Sequence, residues 1–133
     1  MRIVFMGTPD FATSCLKSLV ESDHEVCAVF TQPDKPRGRK MIMTPPDVKV
    51  YALEQELPVY QPTTLKNGEA LNIIKEYNPD VIVVAAYGKI LPEYVLEFPK
   101  YGCINVHGCL LPKYRGTAPI QISIIDGEKV TGI

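Results

Sequence analysis

The sequence has neither a long hydrophobic run nor an excess of one charge. Its opening apolar run is too short for the core of a signal peptide, and no later stretch approaches the roughly 18 uninterrupted apolar residues that cross a membrane. These absences predict a cytoplasmic protein without a membrane partner. The formal net charge is −1, so any contact with nucleic acid has to come from a local basic patch.

Motifs for metal and dinucleotide binding are also missing. The four cysteines form no Cys-x-x-Cys pair, and Cys15 and Cys27 lie in apolar patterns typical of buried thiols. We therefore expect no zinc site and no disulfide framework. The turn "GTPDFA", which begins at Gly7, lacks the Gly-x-Gly-x-x-Gly spacing that brings backbone close to a pyrophosphate, which disfavours NAD binding.

Apolar runs alternate with amphipathic segments along the chain. Continuous apolar runs predict strands buried on both faces, and helical spacing of apolar residues predicts the helices between them. The predicted strands span residues 2–7, 25–32, 57–62, 78–88 and 102–107 and begin again at 129, and the predicted helices span 11–20, 47–56, 67–77, 92–98 and 119–126. This order predicts one domain with an open, mostly parallel, Rossmann-like α/β sheet flanked by helices.

Three loops follow predicted strands and are candidates for a ligand site. In open parallel sheets, ligands bind beyond the carboxyl ends of the strands, where strand order reverses. The three loops span residues 7–10, 87–91 and 107–116. The segment 33–46, with four prolines and the densest basic residues in the chain, is predicted to be a loop as well.

Asn105 and His107 are the residues best suited to chemistry. They lie two apart on a predicted strand, so their side chains leave the same face. A neutral imidazole can take a proton from a nucleophile, and an amide can donate to an oxygen that becomes negative, which is the pair that acyl transfer needs. Alternatively, Asn105 caps a turn and His107 is a buried, hydrogen-bonded histidine. The spacing alone leaves both interpretations open.

Three stretches carry a family resemblance. "GCINVHGCLLPKYRGTAPIQ" resembles the formyltransferases that use 10-formyltetrahydrofolate, and "MRIVFMGTPDFA" and "TQPDKPRGR" are similar to the branch that acts on methionyl-tRNA. The resemblance implies that Asn105 and His107 are catalytic, with Asn105 holding the oxyanion and His107 handling the proton, and that no metal is required. It also implies a folate cleft lined by Tyr87, Gly88, Ile90, Leu91, Cys109, Leu110, Leu111 and Pro112.

The same resemblance implies where the acceptor binds. The contacts to the initiator methionyl-tRNA would come from Gly7, Thr8, Pro9, Arg37, Arg39, Lys40 and Arg115. The cluster 37–40 is basic, and such a cluster grips phosphates without reading sequence, although most such runs are merely solvated loops. Cys109 stands where the family usually has serine, so a Cys-His nucleophilic pair is disfavoured because formyl transfer in the family does not depend on a thiol.

Members of this family are longer than the chain. They place a catalytic aspartate a few dozen residues beyond the histidine, followed by a C-terminal barrel, so residues 1–133 are expected to be an incomplete N-terminal catalytic domain that is inactive alone. Two alternatives stay open. One is a folate-dependent formyltransferase acting on an amino sugar nucleotide or on glycinamide ribonucleotide. The other is a folate-binding or tRNA-binding module without catalysis.

Overall fold

A computed structural model of the chain describes residues 1–106. The predicted helix 119–126 and the predicted strand that begins at 129 lie outside the described residues. The strands are β1 (Arg2–Gly7), β2 (Glu25–Phe30), β3 (Lys35–Arg37), β4 (Ile42–Thr44), β5 (Val59–Tyr60), β6 (Val81–Ala85) and β7 (Cys103–Asn105), and the helices are α1 (Asp10–Val20), α2 (Asp47–Glu54), α3 (Glu69–Tyr77) and α4 (Glu93–Glu97).

Five strands form one parallel sheet in the order β5-β2-β1-β6-β7. The chain moves outward from β1 through β2 to β5 and then returns to the opposite side of β1 as β6. Strand order therefore reverses between β1 and β6, whose carboxyl ends lie side by side. The predicted open parallel sheet is confirmed, and this reversal marks the edge where a ligand site is expected.

Helices cover both faces of the sheet, which explains why its strands are apolar throughout. On β1, Ile3 and Phe5 point toward α1 and α2, whereas Val4 and Met6 point toward α3 and α4. The cysteines Cys15 and Cys27 are buried, as predicted. Burial raises the pKa of Cys15 to about 11, so this thiol stays protonated at neutral pH.

Local sequence sets the helix boundaries. Pro9 precedes α1, and Asp10 in its first turn places a negative charge at the positive end of the helix dipole. Helix α3 ends at Tyr77. The capping residue Asn78 adopts the left-handed conformation with φ of 48° and is followed by Pro79, a residue that cannot continue a helix. Within residues 1–106 the longest helix has 11 residues, and none there has the length and hydropathy for crossing a bilayer.

The prediction of a loop over residues 33–46 is wrong in one respect. Strands β3 and β4 pair antiparallel within it, with Lys35 opposite Thr44 and Arg37 opposite Ile42. The turn between them uses positive φ angles at Gly38 and Met41. Both faces of this hairpin are largely exposed, so the apolar alternation that normally reveals a strand in a sequence is not required there.

Candidate active site

The carboxyl ends of β1 and β6 are joined by close packing. Gly7 ends β1, and a Cβ atom at this position would lie 2.6 Å from the Cβ of Ala12 and 2.7 Å from the carbonyl oxygen of Ala85. Only glycine allows this approach. The next residue, Thr8, donates a hydrogen bond from Oγ1 to the backbone oxygen of Tyr87 at 2.9 Å. The loop after β1 is thus fixed to the loop after β6.

The loop after β6, residues 86–91, has an unusual backbone. Ala86 and Gly88 both have positive φ angles, of 53° and 91°. Gly88 packs against the side chain of Gln32, whose Nε2 would lie 2.5 Å from a Cβ atom at this position. The side chain of Tyr87 is 1% exposed and belongs to the core on the α3 and α4 side of the sheet. Tyr87 therefore contributes its backbone, and not its side chain, to this edge.

A cavity of about 260 Å³ lies beside this loop, and Asn105 forms part of its wall. Its lining residues are Val84, Lys89, Ile90, Leu91, Leu96, Cys103 and Asn105. Cys103 belongs to the core on the side of α4, and Asn105, two residues further along β7, faces the same way. The structure thus brings Asn105 together with Ile90 and Leu91, all three of which were singled out in the sequence.

Four of the lining residues were not predicted. Cys103 follows from the two-residue period that also placed Asn105, and Lys89 lies inside a loop that was already a candidate. Val84 is the sheet partner of Asn105, so finding it requires the strand order, and Leu96 requires the packing of α4. Burial raises the pKa of Cys103 to about 12, so this residue is a neutral thiol in the wall of the cavity and not a nucleophile.

The remaining predicted residues of the folate cleft and the catalytic pair come later in the chain. His107, Cys109, Leu110, Leu111, Pro112 and Arg115 lie outside the described residues. The pairing of Asn105 with His107 accordingly stays a prediction. Gly7, Thr8 and Pro9 form the turn from β1 into α1, next to the loop after β6.

The hairpin of β3 and β4 presents a group of exposed cations. Lys35, Arg37, Arg39 and Lys40 are all exposed, and none of them forms an ion pair with another part of residues 1–106. The hairpin therefore carries an uncompensated positive charge on one short segment.

The base of the hairpin is anchored to α2. Lys49 Nζ donates to Asp34 Oδ1 at 3.1 Å, and Gln61 Nε2 donates to the same oxygen at 2.7 Å. The hydrogen bonds from Gln61 and Lys49 lower the pKa of the Asp34 carboxyl. Lys49 is thus paired and does not add to the free charge of the hairpin, although it lies close to it in sequence.

The fold and this site define a class of proteins. A family model described as formyl transferase matches residues 1–133, and the chain belongs to that family. The chain is 61% identical to a methionyl-tRNA formyltransferase of Caldanaerobacter subterraneus subsp. tengcongensis over 134 residues, which cover 100% of this chain and 43% of that relative. It is 56% identical to the enzyme of the same name from Alkaliphilus oremlandii over 133 residues, again covering 100% and 43%.

Solved structures share the fold. A phosphoribosylglycinamide formyltransferase from Anaplasma phagocytophilum matches with a TM-score of 0.60 and 17% identity, over 92% of this chain and 56% of that one. A formyltetrahydrofolate deformylase from Pseudomonas syringae pv. tomato matches with a TM-score of 0.58 and 22% identity, over 91% and 40%. The family and fold expected from the sequence are confirmed. The chain spans less than half the length of the curated relatives described above.

Proposed function

We propose that residues 1–133 belong to the N-terminal catalytic domain of a methionyl-tRNA formyltransferase. The reaction moves the formyl group of 10-formyltetrahydrofolate onto the α-amino group of initiator methionyl-tRNA. The observation that supports this most is the identity of 55–61% to relatives with that name across the whole chain. The cavity at the end of β6 and β7 would be the place of the chemistry.

The cavity suits the ring system of a folate. Its wall is mainly aliphatic, with Ile90, Leu91 and Leu96 beside the amide of Asn105. A volume of about 260 Å³ is slightly below the roughly 300–1,000 Å³ of sites for drug-sized ligands, so it fits a fused ring and leaves the rest of the molecule outside. Ile90 is 90% exposed and is available to cover the face of such a ring.

Asn105 and His107 would divide the chemistry between them. The amide of Asn105 donates to the formyl oxygen, and this hydrogen bond strengthens as the amine attacks and the oxygen becomes negative. His107 accepts the proton that the amine loses. The new carbon–nitrogen bond forms, the bond from the formyl carbon to the folate nitrogen breaks, and that nitrogen takes up a proton. The products are formyl-methionyl-tRNA and tetrahydrofolate.

The hairpin of β3 and β4 would hold the nucleic acid. Arg37, Arg39 and Lys40 are exposed and unpaired within residues 1–106, so phosphate oxygens meet no competing carboxylate there. Such contacts position a substrate without reading its bases. The reactive amine at the end of the tRNA must still reach Asn105, and the loop at Thr8 lies on the same edge of the sheet.

The acceptor test uses the chain extended with the remainder of the Caldanaerobacter relative. This protein is supplied with 10-formyltetrahydrofolate and, separately, with methionyl-tRNA, free methionine, a nucleotide-linked amino sugar or glycinamide ribonucleotide. We expect formylation of methionyl-tRNA alone. Formylation of either of the last two acceptors in its place would assign the chain to another formyltransferase, and binding of folate and tRNA without turnover would make it a binding module.

A parallel assay examines the 133-residue chain by itself. The family's catalytic aspartate lies beyond the histidine, at a position that residues 1–133 do not reach. Losing one positioned catalytic group commonly costs on the order of 100-fold in rate, so we expect turnover to fall by at least that factor relative to the extended protein. Equal turnover of the two would mean that the aspartate is dispensable or is replaced from within the chain.

A further inference from the structure

Thr8 lies where three segments of the chain meet. It follows β1, its hydroxyl donates to the backbone oxygen of Tyr87 at 2.9 Å, and its own backbone oxygen accepts from the N–H of Val48 at 3.3 Å. Tyr87 belongs to the loop 86–91, and Val48 to the first turn of α2. Thr8 is therefore bonded to the loop that lines the cavity and to the helix that anchors the basic hairpin.

The loop 86–91 has a backbone that needs external support. Ala86 holds a φ of 53°, a conformation that costs a residue with a Cβ atom about 1–2 kcal/mol. Such conformations persist only where the surroundings over-determine them. Within residues 1–106 the supports for this loop include the burial of the Tyr87 side chain in the core and the hydroxyl of Thr8 on the Tyr87 backbone oxygen. They also include the packing of Gln32 on Gly88 and a hydrogen bond from Lys89 Nζ to the oxygen of Thr63 at 2.8 Å.

The far side of the same loop forms a wall of the cavity. Lys89, Ile90 and Leu91 line it opposite Val84 and Asn105. A shift of the loop by about 1 Å would move that wall relative to Asn105, and displacements of this size change rates strongly when a substrate must be held in a reactive geometry. Whatever fixes the backbone at Tyr87 therefore also fixes the position of a bound ligand.

We propose that Thr8 is a positioning residue for the folate side of the site. Its hydroxyl holds the carbonyl of Tyr87, and so keeps Ile90 and Leu91 in place against the cavity. This differs from the acceptor contact that the family resemblance implied for Thr8, since the residue acts here through the backbone of Tyr87. The identity of the ligand rests on the proposed function. The hydrogen bond from the Thr8 hydroxyl to the Tyr87 backbone oxygen, which we call the latch, rests on the geometry of residues 8 and 86–91.

The first test measures the latch without any ligand. Amide hydrogen exchange over residues 86–91 is followed in the wild-type chain and in the Thr8→Val, Thr8→Ser and Thr13→Val variants. Valine has the shape of threonine but no donor, so we expect exchange to speed up about fivefold, the usual worth of one hydrogen bond. Serine keeps the donor and should stay within about twofold of wild type.

Thr13→Val is the matched control, because within residues 1–106 Thr13 Oγ1 donates only to the backbone oxygen of Pro9, at 3.5 Å, the residue that precedes its own helix. It should leave the exchange of residues 86–91 unchanged. Thermal midpoints of all variants are measured first, so that a general loss of stability is recognised. Exchange in Thr8→Val equal to that of wild type, at equal thermal stability, overturns the proposal.

The second test measures kinetics in the chain extended with the remainder of the Caldanaerobacter relative. We expect Thr8→Val to raise KM for 10-formyltetrahydrofolate about fivefold, with KM for methionyl-tRNA nearly unchanged, and Thr8→Ser to restore it. A rise confined to KM for methionyl-tRNA would overturn the assignment and return Thr8 to the acceptor side. If the wild type binds no folate, the proposed function fails, while the exchange result still decides whether Thr8 is a latch.

Discussion

The cavity at β6 and β7 and the hairpin of β3 and β4 are built in opposite ways. The cavity takes its wall from two strands, a loop and a helix, and most of that wall is buried or aliphatic. The hairpin is held by pairing of two three-residue strands and presents four exposed cations. The first can select a compact ligand by shape, and the second can attract a polyanion by charge. The region suited to selecting a ligand by shape is thus separate from the region suited to attracting a polyanion by charge.

The largest expected effect comes from Asn105, on the cavity side. In the extended protein, Asn105→Ala should lower kcat by about 100-fold or more, because the developing negative oxygen loses its donor. Binding of a tetrahydrofolate analogue should change much less, since that donor matters mainly in the transition state. Rates come from formylation assays and affinities from titration.

Asn72→Ala provides the matched control for this experiment. Asn72 is exposed on α3, away from the cavity, and the same side chain is removed. The control should keep wild-type kcat. A comparable loss in both variants, or a loss of only a few-fold in Asn105→Ala, would contradict the role proposed for Asn105.

Glycine substitutions compare how tightly the two regions are built. Gly7→Ala should reduce the free energy of unfolding by about 3 kcal/mol, because the added carbon meets Ala12, Ala85 and Phe5 at under 3 Å. Gly38→Ala in the hairpin meets nothing within 4 Å and bears only the strain of its positive φ, about 1 kcal/mol. Denaturant titrations measure both values. Equal losses would show that crowding at Gly7 is relieved by movement of its neighbours.

Removing charge from the hairpin should weaken the binding of tRNA but not the binding of folate. Joint replacement of Arg37, Arg39 and Lys40 by alanine should weaken binding roughly tenfold. It should also lower the slope of log affinity against log salt by about 0.9 for each phosphate that the variant no longer neutralises. Affinity for a tetrahydrofolate analogue should not change. Both affinities are measured over a series of salt concentrations.

A control of equal charge uses three exposed lysines elsewhere on the chain. Replacement of Lys17, Lys66 and Lys75 by alanine removes the same net charge from α1, the turn before α3 and α3, respectively. This variant should keep the wild-type salt slope. If both triple variants lose the same affinity, net charge and not the hairpin governs binding.

The smallest effect is expected at the base of the hairpin. The pKa of Asp34 is lowered in the folded state by hydrogen bonds from Gln61 and Lys49, so its contribution to stability is present above the unfolded pKa of about 3.9 and is lost as pH falls below it. Asp34→Asn should lower the thermal midpoint by about 1–2 °C near pH 7, since exposed pairs contribute little.

The difference between Asp34→Asn and wild type should vanish as the pH falls below about 3.9. High salt should shrink it as well, because the pair with Lys49 is partly exposed. Asp23→Asn changes an exposed aspartate in the turn before β2 and serves as the control. A difference that persists unchanged at low pH would mean that the carboxylate charge is not its cause.

The parts of the fold that could be predicted are those governed by burial. The runs in β1, β2 and β6 are apolar because helices cover both faces, and this leaves a direct mark on the sequence. The hairpin leaves no such mark, since its residues face solvent and its pairing depends on backbone conformation at Gly38 and Met41. Because its residues are exposed, the hairpin lacks the apolar pattern by which a strand is recognised in a sequence.

Local sequence could predict single residues of the candidate site, but not which residues from different strands lie together in it. The two-residue period placed Asn105 on one face of its strand. The position of residues 87–91 after a strand made that loop a candidate, and the family resemblance implied Ile90 and Leu91. Val84 joins them only because β6 and β7 are neighbours with Val84 opposite Asn105. The hydrogen bond of Thr8 likewise spans 79 residues of sequence and depends on the position of β6 next to β1.

The pairing of β1 with β6 delays part of the folding of the newly synthesised chain. The N–H of Asp80 donates to the oxygen of Arg2, and the N–H of Arg2 donates to Asp80 Oδ2, each at 2.8 Å and across 78 residues. Synthesis at ~5–20 residues per second separates the two partners by roughly 4–16 s. During this interval one edge of the first strand has no native neighbour. The cavity at Asn105 cannot form until later still, when β7 has also emerged from the ribosome.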